Sequence, residues 1–280
     1  MRKKFVELAK QTVANDTRSY VLLGDISVGA FLDSQDQLIP QVFNMGIAEQ
    51  AMIGFAAGLT ETGGHVIVHT IAAFLVERAF EQIKLCCGYN QRRLILVSAN
   101  GPFDYDRLGP THHCASDVSL LSTVPNLDIC LPSTVQDLEQ AWQQALHSER
   151  STYIRLTNRV ARLEVEPTVL PGGWRQIYFT DGQASVTDNG SNTALICTGE
   201  SLKYCLSRTT HNASIYWNIN PAAKLPADLQ RYKSIKVFEP YTVPQFMIPD
   251  DLPHHNIQRK LFSIEPKKIM VPDMGWEDFV

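Results

Sequence analysis

Two short stretches of the sequence hold residues that could exchange protons. Glu49 lies in FNMGIAEQAMIGFAAGL, residues 43–59, and no basic residue lies within nine positions of it. An acid is common in a first helical turn, where it faces the positive end of the helix dipole, so a helix-start role is the simplest interpretation. His112 and His113 follow Gly-Pro-Thr in a loop. A histidine titrates near neutral pH, so either could shuttle a proton or stabilise an oxyanion.

Alternating strand and helix patterns must position these residues. Short, uniformly apolar runs that predict buried strands recur between patterns that predict helices. That alternation is typical of a parallel sheet covered by helices on both faces. We predict strands at residues 19–25, 37–46, 65–70, 93–100, 127–133 and 152–157, and helices at residues 1–15, 48–62, 74–90, 116–126 and 134–149.

The composition of the chain changes after about Arg162, where Pro, Gly and turn-forming pairs become frequent. We therefore predict an α/β fold of two domains, each a mostly parallel sheet with helices on both faces. The first domain is expected over residues 1–165, a linker with a β-excursion over 166–190, and a shorter domain over 191–280. Strand-like runs at 193–199, 213–219 and 234–240 support the second domain.

Composition and missing motifs exclude several classes of protein. A net charge of −4 gives no basic face for nucleic acid, and no apolar run approaches the ~20 residues of a membrane span. The first residues lack the apolar core of a signal peptide, and the six cysteines contain no C-x-x-C, so we expect free thiols and a cytoplasmic protein. Neither G-x-G-x-x-G nor G-x-x-x-x-G-K-[ST] occurs, so both common phosphate cradles are absent.

Four segments, taken in order, resemble the second half of transketolase-like, thiamine-diphosphate-dependent enzymes. They are NMGIAEQAMIGFAAGL (44–59), AAFLVERAFEQIK (72–84), GPTHH (109–113) and VPNLDICLPST (124–134). One segment alone is a weak signal, whereas all four at these separations are specific. The resemblance implies a pyrimidine-binding domain followed by a transketolase C-terminal domain, as in the small subunit of a split transketolase.

The resemblance gives Glu49 a role toward thiamine diphosphate. Its carboxyl would hydrogen-bond a ring nitrogen of the aminopyrimidine and would need a proton to share. Burial among Ile47, Met52 and Phe55 is expected to favour the neutral carboxyl more strongly than the helix dipole favours the charged one. Glu49 is thus expected to act in catalysis as well as in cofactor binding.

Three other residues match positions beside the cofactor. The resemblance implies that Phe74 stacks on the aminopyrimidine, although the residue alone fits a core phenylalanine. Asp25, at the end of the first predicted strand, would lie beside the cofactor or cap a turn. Ile26 would help to hold the cofactor in its bent shape.

The loop histidine and its neighbours correspond to substrate positions. The resemblance implies that His112 reaches the substrate carbon that bonds to the cofactor, with His113 as the alternative if the register slips by one. A loop position favours function over structure for either residue.

The substrate residues depart from the family pattern. Asn100 stands where transketolases tend to carry a histidine, and Leu108 where an acid reads a sugar hydroxyl. Arg155 and Arg159 flank the place of an arginine that grips the sugar phosphate, and either could serve because arginine pairs well with phosphate. Cofactor residues are retained while substrate residues are altered, so we predict a non-standard or modified sugar.

The resemblance also implies a partner. The chain lacks the Gly-Asp-Gly segment with a downstream Asn that holds the diphosphate and its Mg²⁺, so we expect both on an obligate transketolase N-terminal-type subunit. The expected assembly is an α2β2 heterotetramer with the helices at 48–62 and 74–90 in its interfaces.

The predicted reaction is transfer of a two-carbon ketol unit between a ketose and an aldose. One alternative is a decarboxylating carboligase of the deoxyxylulose-phosphate synthase type, which also carries A-E-Q and T-H segments. Another is the β subunit of a 2-oxo acid dehydrogenase, which fits GPTHH poorly. The non-enzyme alternative is an inactive scaffold subunit, because a fold does not guarantee a function.

Overall fold

Two sheets organise the chain. The computed structural model describes residues 1–102, 104–180, 182–209, 211–239 and 257–261. The first sheet has six strands in the order β2-β1-β3-β4-β6-β5, and every neighbouring pair is parallel. Its strands are β1 Tyr20–Leu23, β2 Val42–Asn44, β3 Val66–Ile71, β4 Ile95–Ala99, β5 Leu127–Cys130 and β6 Ser151–Arg155.

Helices cover both faces of the first sheet, as its uniformly apolar strands require. Successive residues of a strand point to opposite faces. Accordingly, Val66 and Val68 join one buried cluster with α2 Glu49–Leu59, while Ile67 joins another with α1 Arg2–Asn15 and α5 Val135–His147. Each of the six strand regions predicted up to residue 157 overlaps one observed strand.

The segment predicted as a helix over 74–90 is helical but irregular. Residues Ala73–Arg78 and Lys84–Tyr89 form π-helical turns on either side of the short α3 Phe80–Ile83. Leu75 is fully buried, whereas Phe74 is only half-buried. Single π turns inside helices occur frequently at functional sites. The short α4 Asp117–Leu121 follows the loop that carries the two histidines.

The second sheet is mixed. Strands β13-β12-β10-β11 are parallel, β8 pairs antiparallel with β11, and β7 and β9 pair antiparallel with β8. This sheet therefore begins at Thr168, inside the stretch predicted as a linker. Residues 240–256 and 262–280 of the predicted second domain lie outside the described residues. The elements are β7 Thr168–Leu170, β8 Trp174–Thr180, β9 Gln183–Ser185, β10 Thr193–Cys197, α6 Ser201–Arg208, β11 Ala213–Trp217, β12 Ser234–Glu239 and β13 Ile257–Leu261.

The fold class predicted from the sequence is confirmed as a two-domain α/β architecture. None of the helices in the described part of the chain combines the length and apolar character that a membrane crossing demands.

Candidate active site

The candidate site lies at the carboxyl ends of β1 and β3. The chain runs from β1 to β2 on one side and then crosses to β3 and β4 on the other, so the winding direction changes between β1 and β3. In open α/β sheets, ligands bind where that direction changes, beyond the carboxyl ends of the strands. The residues placed there are Gly24 and Asp25 after β1, Thr70 in β3, and Glu49 at the start of α2.

Glu49 is buried and fully engaged. Its side chain is 1% exposed, its Oε1 accepts a hydrogen bond from Thr70 Oγ1 at 3.3 Å, and its Oε2 accepts one from Arg78 Nη1 at 2.7 Å. Of the three apolar residues predicted to surround it, Met52 is buried, but Ile47 and Phe55 are exposed. The predicted burial of Glu49 is observed, but of the three apolar residues only Met52 is buried with it, and a hydroxyl and a guanidinium contact the carboxylate as well.

A glycine is required beside this hydrogen bond. A Cβ atom at Gly24 would come within 2.7 Å of Thr70 Oγ1. The Thr70 hydroxyl also lies 3.4 Å from the Gly24 carbonyl oxygen. A larger residue at Gly24 would therefore push Thr70 away from Glu49.

An aromatic ring and two polar groups form the open side of the site. The Arg78 guanidinium carbon lies 4.0 Å from the centroid of the Phe74 ring. The imidazole of His112 meets the same ring edge-on, with centroids 5.1 Å apart. His112 is half-buried, whereas the alternative His113 is buried. The structure thus brings Glu49, Phe74 and His112 together.

Asp25 and Ile26 lie in a tightly wound loop after β1. Asp25 and Ser27 both have left-handed backbone conformations, with φ of 54° and 62°. The Asp25 N–H donates to Asn44 Oδ1 at 3.1 Å, and Asn44 Nδ2 donates to Asp25 Oδ1 at 3.1 Å. Asp25 is exposed and Ile26 is half-buried at the mouth of the site.

A buried histidine that sequence reasoning missed holds this loop. His69 Nδ1 lies 2.9 Å from the Val97 carbonyl oxygen and must donate to it, so Nε2 accepts from Ser27 Oγ at 3.0 Å. Burial lowers the pKa of His69 to about 4, which keeps the ring neutral at pH 7. The only local signal was its place in an apolar strand, which gives no indication of a role.

Asn100 lies directly after β4 and contacts Arg2, for which the sequence gave no indication of a role in the site. Asn100 is buried with a φ of 75°. Arg2, at the start of α1, donates through Nη2 to Asn100 Oδ1 at 3.1 Å and to Tyr105 OH at 3.0 Å. The Tyr105 ring in turn lies 5.9 Å from that of His112. Within the described residues, Asn100 Nδ2 is buried without a hydrogen-bond partner.

The two arginines predicted to bind phosphate have different surroundings. Arg155 is 2% exposed and forms an ion pair with buried Asp117 at 2.9 Å. Arg159 is partly exposed and lies 3.3 Å from Asp104. Leu108, in the place of the family acid, is exposed. The geometry does not favour a phosphate role for Arg155, since its guanidinium is committed inside the fold, whereas Arg159 stays a candidate.

A parallel six-stranded sheet thus carries a buried acid and an aromatic ring at its switch point, the place where open α/β sheets bind ligands. The model of the transketolase pyrimidine-binding domain matches residues 1–162. This chain therefore belongs to the transketolase pyrimidine-binding domain family, as its four segments predicted.

Proteins similar to this chain include subunits of transketolases. A subunit of the apulose-4-phosphate transketolase of Phocaeicola vulgatus is 31% identical over 210 residues, which are 72% of this chain and 62% of that protein. The 6-deoxy-6-sulfo-D-fructose transketolase subunit SqwH of a Clostridium species (strain MSTE9) is 28% identical over 71% of this chain and 60% of its own length. The chain thus spans about three-fifths of these relatives.

Solved structures show the same fold. A structure described as a split gene transketolase in an inactive beta4 tetramer superposes with a TM-score of 0.62 at 19% identity, covering 87% of this chain and 80% of that one.

Proposed function

We propose that this chain is the pyrimidine-binding subunit of a thiamine-diphosphate-dependent transketolase, a transferase that moves a two-carbon ketol unit from a ketose to an aldose. The observation that carries this proposal is the buried Glu49 carboxylate beside the half-buried Phe74 ring at the sheet's switch point. Family membership and relatives named as transketolase subunits support it.

The residues fit the pyrimidine end of this cofactor. The Arg78 guanidinium is a planar N–H donor, and Glu49 and Phe74 already hold it by a hydrogen bond and a face contact. A planar heterocycle could make the same two contacts. Asp25 and Ile26 would line the mouth of the site, and the hydrogen bond between Ser27 and His69 would hold their loop in place. When bound, the cofactor supplies stabilisation of a carbanion.

His112 is the residue of this chain placed to act on the substrate. Its imidazole lies beside Phe74, and its Nδ1 lies 2.9 Å from Thr111 Oγ1. A partly exposed imidazole there can hold a proton at the substrate's carbonyl oxygen or remove one from its hydroxyl. The hydrogen bond to Thr111 would fix the direction of the ring.

The sugar is proposed to carry an anionic group. Arg2, Asn100 and Arg159 offer guanidinium and amide donors around the loop that carries His112, and arginine pairs well with phosphate and similar anions. Exposed Leu108 in the place of the family acid favours a sugar other than the standard one. The names of two relatives include a sugar phosphate and a sulfonated sugar.

A partner subunit is proposed to bind the diphosphate and Mg²⁺ in an α2β2 assembly. An exposed apolar surface supports an interface, since large apolar patches mark interaction sites. The ring centroids of Phe43 and of Phe55, which lies in α2, are 6.4 Å apart on this surface. The six cysteines are free, which suits the reducing cytoplasm. Exposed large hydrophobic residues in and beside the segments predicted for the interface are Phe43, Ile47, Phe55, Leu85 and Tyr89.

The test is the substitution Glu49→Gln in the complex co-expressed with its diphosphate-binding subunit. We expect turnover of ketose phosphates and a sulfonated ketose to fall by about 100-fold or more, the scale of losing a proton-transfer group. Glu61→Gln, in the short 3-10 turn that follows α2, is the matched control and should retain full activity. Size-exclusion chromatography checks that both variants assemble.

Three results would contradict the proposal. Carbon dioxide release from pyruvate would show a decarboxylating carboligase. Equal turnover in wild type and Glu49→Gln would remove Glu49 from the mechanism. A correctly assembled wild-type complex that turns over none of these ketoses would indicate a scaffold.

A further inference from the structure

The guanidinium of Arg78 contacts both residues that are proposed to bind the cofactor ring, Glu49 and Phe74. Arg78 Nη1 lies 2.7 Å from Glu49 Oε2, and the guanidinium carbon lies 4.0 Å from the Phe74 centroid. The other carboxylate oxygen of Glu49 accepts from Thr70. A planar ligand that hydrogen-bonds Glu49 Oε2 and stacks on the same face of the Phe74 ring must therefore displace Arg78.

The exposure of the two partners differs sharply. The Arg78 side chain is 40% exposed, whereas that of Glu49 is 1% exposed. An unpaired charge at a buried site is strongly destabilising, so Glu49 needs a cation or a proton whenever no ligand is bound. A flexible, solvent-reaching arginine can provide the charge and then swing out, which a buried arginine could not do.

We propose that Arg78 fills the place of the aminopyrimidine in the free chain and is displaced when the cofactor ring enters. This inference depends on the proposed thiamine diphosphate site. It makes Arg78 a competitor of the cofactor for Glu49 and Phe74. It also means that the buried carboxylate is never left without a partner before the enzyme is loaded.

The direct test is the affinity of the assembled complex for thiamine diphosphate with MgCl₂, measured by isothermal titration calorimetry. Arg78→Met keeps an unbranched apolar stem but removes the competing cation. We expect its Kd to be about three- to tenfold lower than that of wild type, the scale of a partly exposed ion pair and a cation–π contact together. Arg78→Lys keeps the charge without the planar group and should fall between the two.

Arg150→Met is the matched control. Arg150 is similarly exposed and is also paired with a carboxylate, Asp128. It precedes β6 and so lies at the amino ends of the strands, away from the site. The same loss of charge there should leave the Kd unchanged.

A second measurement follows the side chain itself. In the complex labelled with ¹⁵N-arginine, the Arg78 signal is identified by its loss in Arg78→Lys. Adding thiamine diphosphate should shift and sharpen it, because the guanidinium becomes mobile. An equal or higher Kd in Arg78→Met, or an Arg78 signal that cofactor leaves unchanged, would overturn the inference while the cofactor site itself stands. A wild-type complex that binds no thiamine diphosphate would overturn the proposed function and this inference with it.

Discussion

Two buried glutamates stand at the starts of helices in the two sheets, and their surroundings differ. Glu49 begins α2 in the first domain, and Glu200 immediately precedes α6 in the second. Glu49 is paired with Arg78, whose side chain reaches solvent. Glu200 instead faces another acid, Asp104, and lies 3.5 Å from the Thr157 hydroxyl. The same residue type thus forms an openable site in one domain and a sealed contact in the other.

The sealed contact joins the second domain to the loop that leads to His112. Asp104 accepts hydrogen bonds from the backbone N–H groups of Gly101 and Asn158, both at 2.8 Å. Burial and repulsion by Asp104 raise the pKa of Glu200 to about 8, although Arg155 and Arg159 oppose the shift. Glu200 therefore holds a proton at neutral pH. Burial alone does not make an acid a ligand site, since the partner must also be able to leave.

The largest effect on stability is expected from Arg155→Met. Its ion pair with Asp117 is buried on both sides, and breaking such a pair costs about 3–5 kcal/mol because one charge stays buried and unpaired. Chemical denaturation of the purified chain measures the loss. A variant as stable as wild type, with a higher KM for anionic sugars, would instead restore Arg155 as a phosphate-binding residue.

Glu200→Gln is expected to change how stability depends on pH. The folded pKa of about 8 lies above the ordinary value of 4.5, so the folded state binds more protons than the unfolded state between these values. Stability from this group therefore falls as pH rises from about 4.5 to 8, by at most about 1.4 kcal/mol per pH unit. Glutamine should remove that decline, so the variant is expected to be more stable than wild type at pH 8. A variant that keeps the decline would show that another group causes it.

His69→Asn is expected to remove an opposite dependence. The folded pKa of about 4 lies below the ordinary 6.5, so the unfolded state binds more protons in that window and stability is lost as pH falls from 6.5 to 4. In wild type, stability gained from Glu200 as the pH falls from about 6.5 to 4.5 offsets the stability lost through His69. The effect of His69 is therefore measured in the Glu200→Gln background, where the opposing effect of Glu200 is removed. If His69→Asn still loses stability over this window in that background, His69 is not the buried neutral group.

Local patterns in the sequence predicted the parts of the site that lie within single segments. The apolar runs gave the strands of the first sheet, and these predictions succeed because strand burial depends on neighbouring residues. Glu49, Phe74 and His112 were instead marked by the resemblance of their continuous segments to transketolase-like enzymes, and their roles stay predictions. The irregular turns at 73–89 were not predicted, since the apolar spacing there also fits an α-helix.

Contacts across the chain could not be predicted from local patterns. Arg2 meets Asn100 across 98 positions, and Arg78 meets Glu49 across 29. Both pairs form because the sheet order brings the carboxyl ends of β1, β3 and β4 together. Arg155, at the end of β6, likewise meets Asp117, at the start of α4, across 38 positions. Substrate residues are therefore harder to assign from sequence than the cofactor residues in their continuous segments.

The smallest effect on stability is expected from Arg78→Met in the chain without cofactor. Its pair with Glu49 is one-sided, because the arginine is 40% exposed and water screens it, and the buried carboxyl can take up a proton once the cation is gone. The loss should therefore be smaller than the ~3–5 kcal/mol expected for Arg155→Met. A double-mutant cycle with Glu49→Gln isolates the pair from the separate packing of each side chain. A coupling as large as the loss in Arg155→Met would mean that Arg78 is locked like Arg155, and an arginine held that firmly could not yield its place to a cofactor.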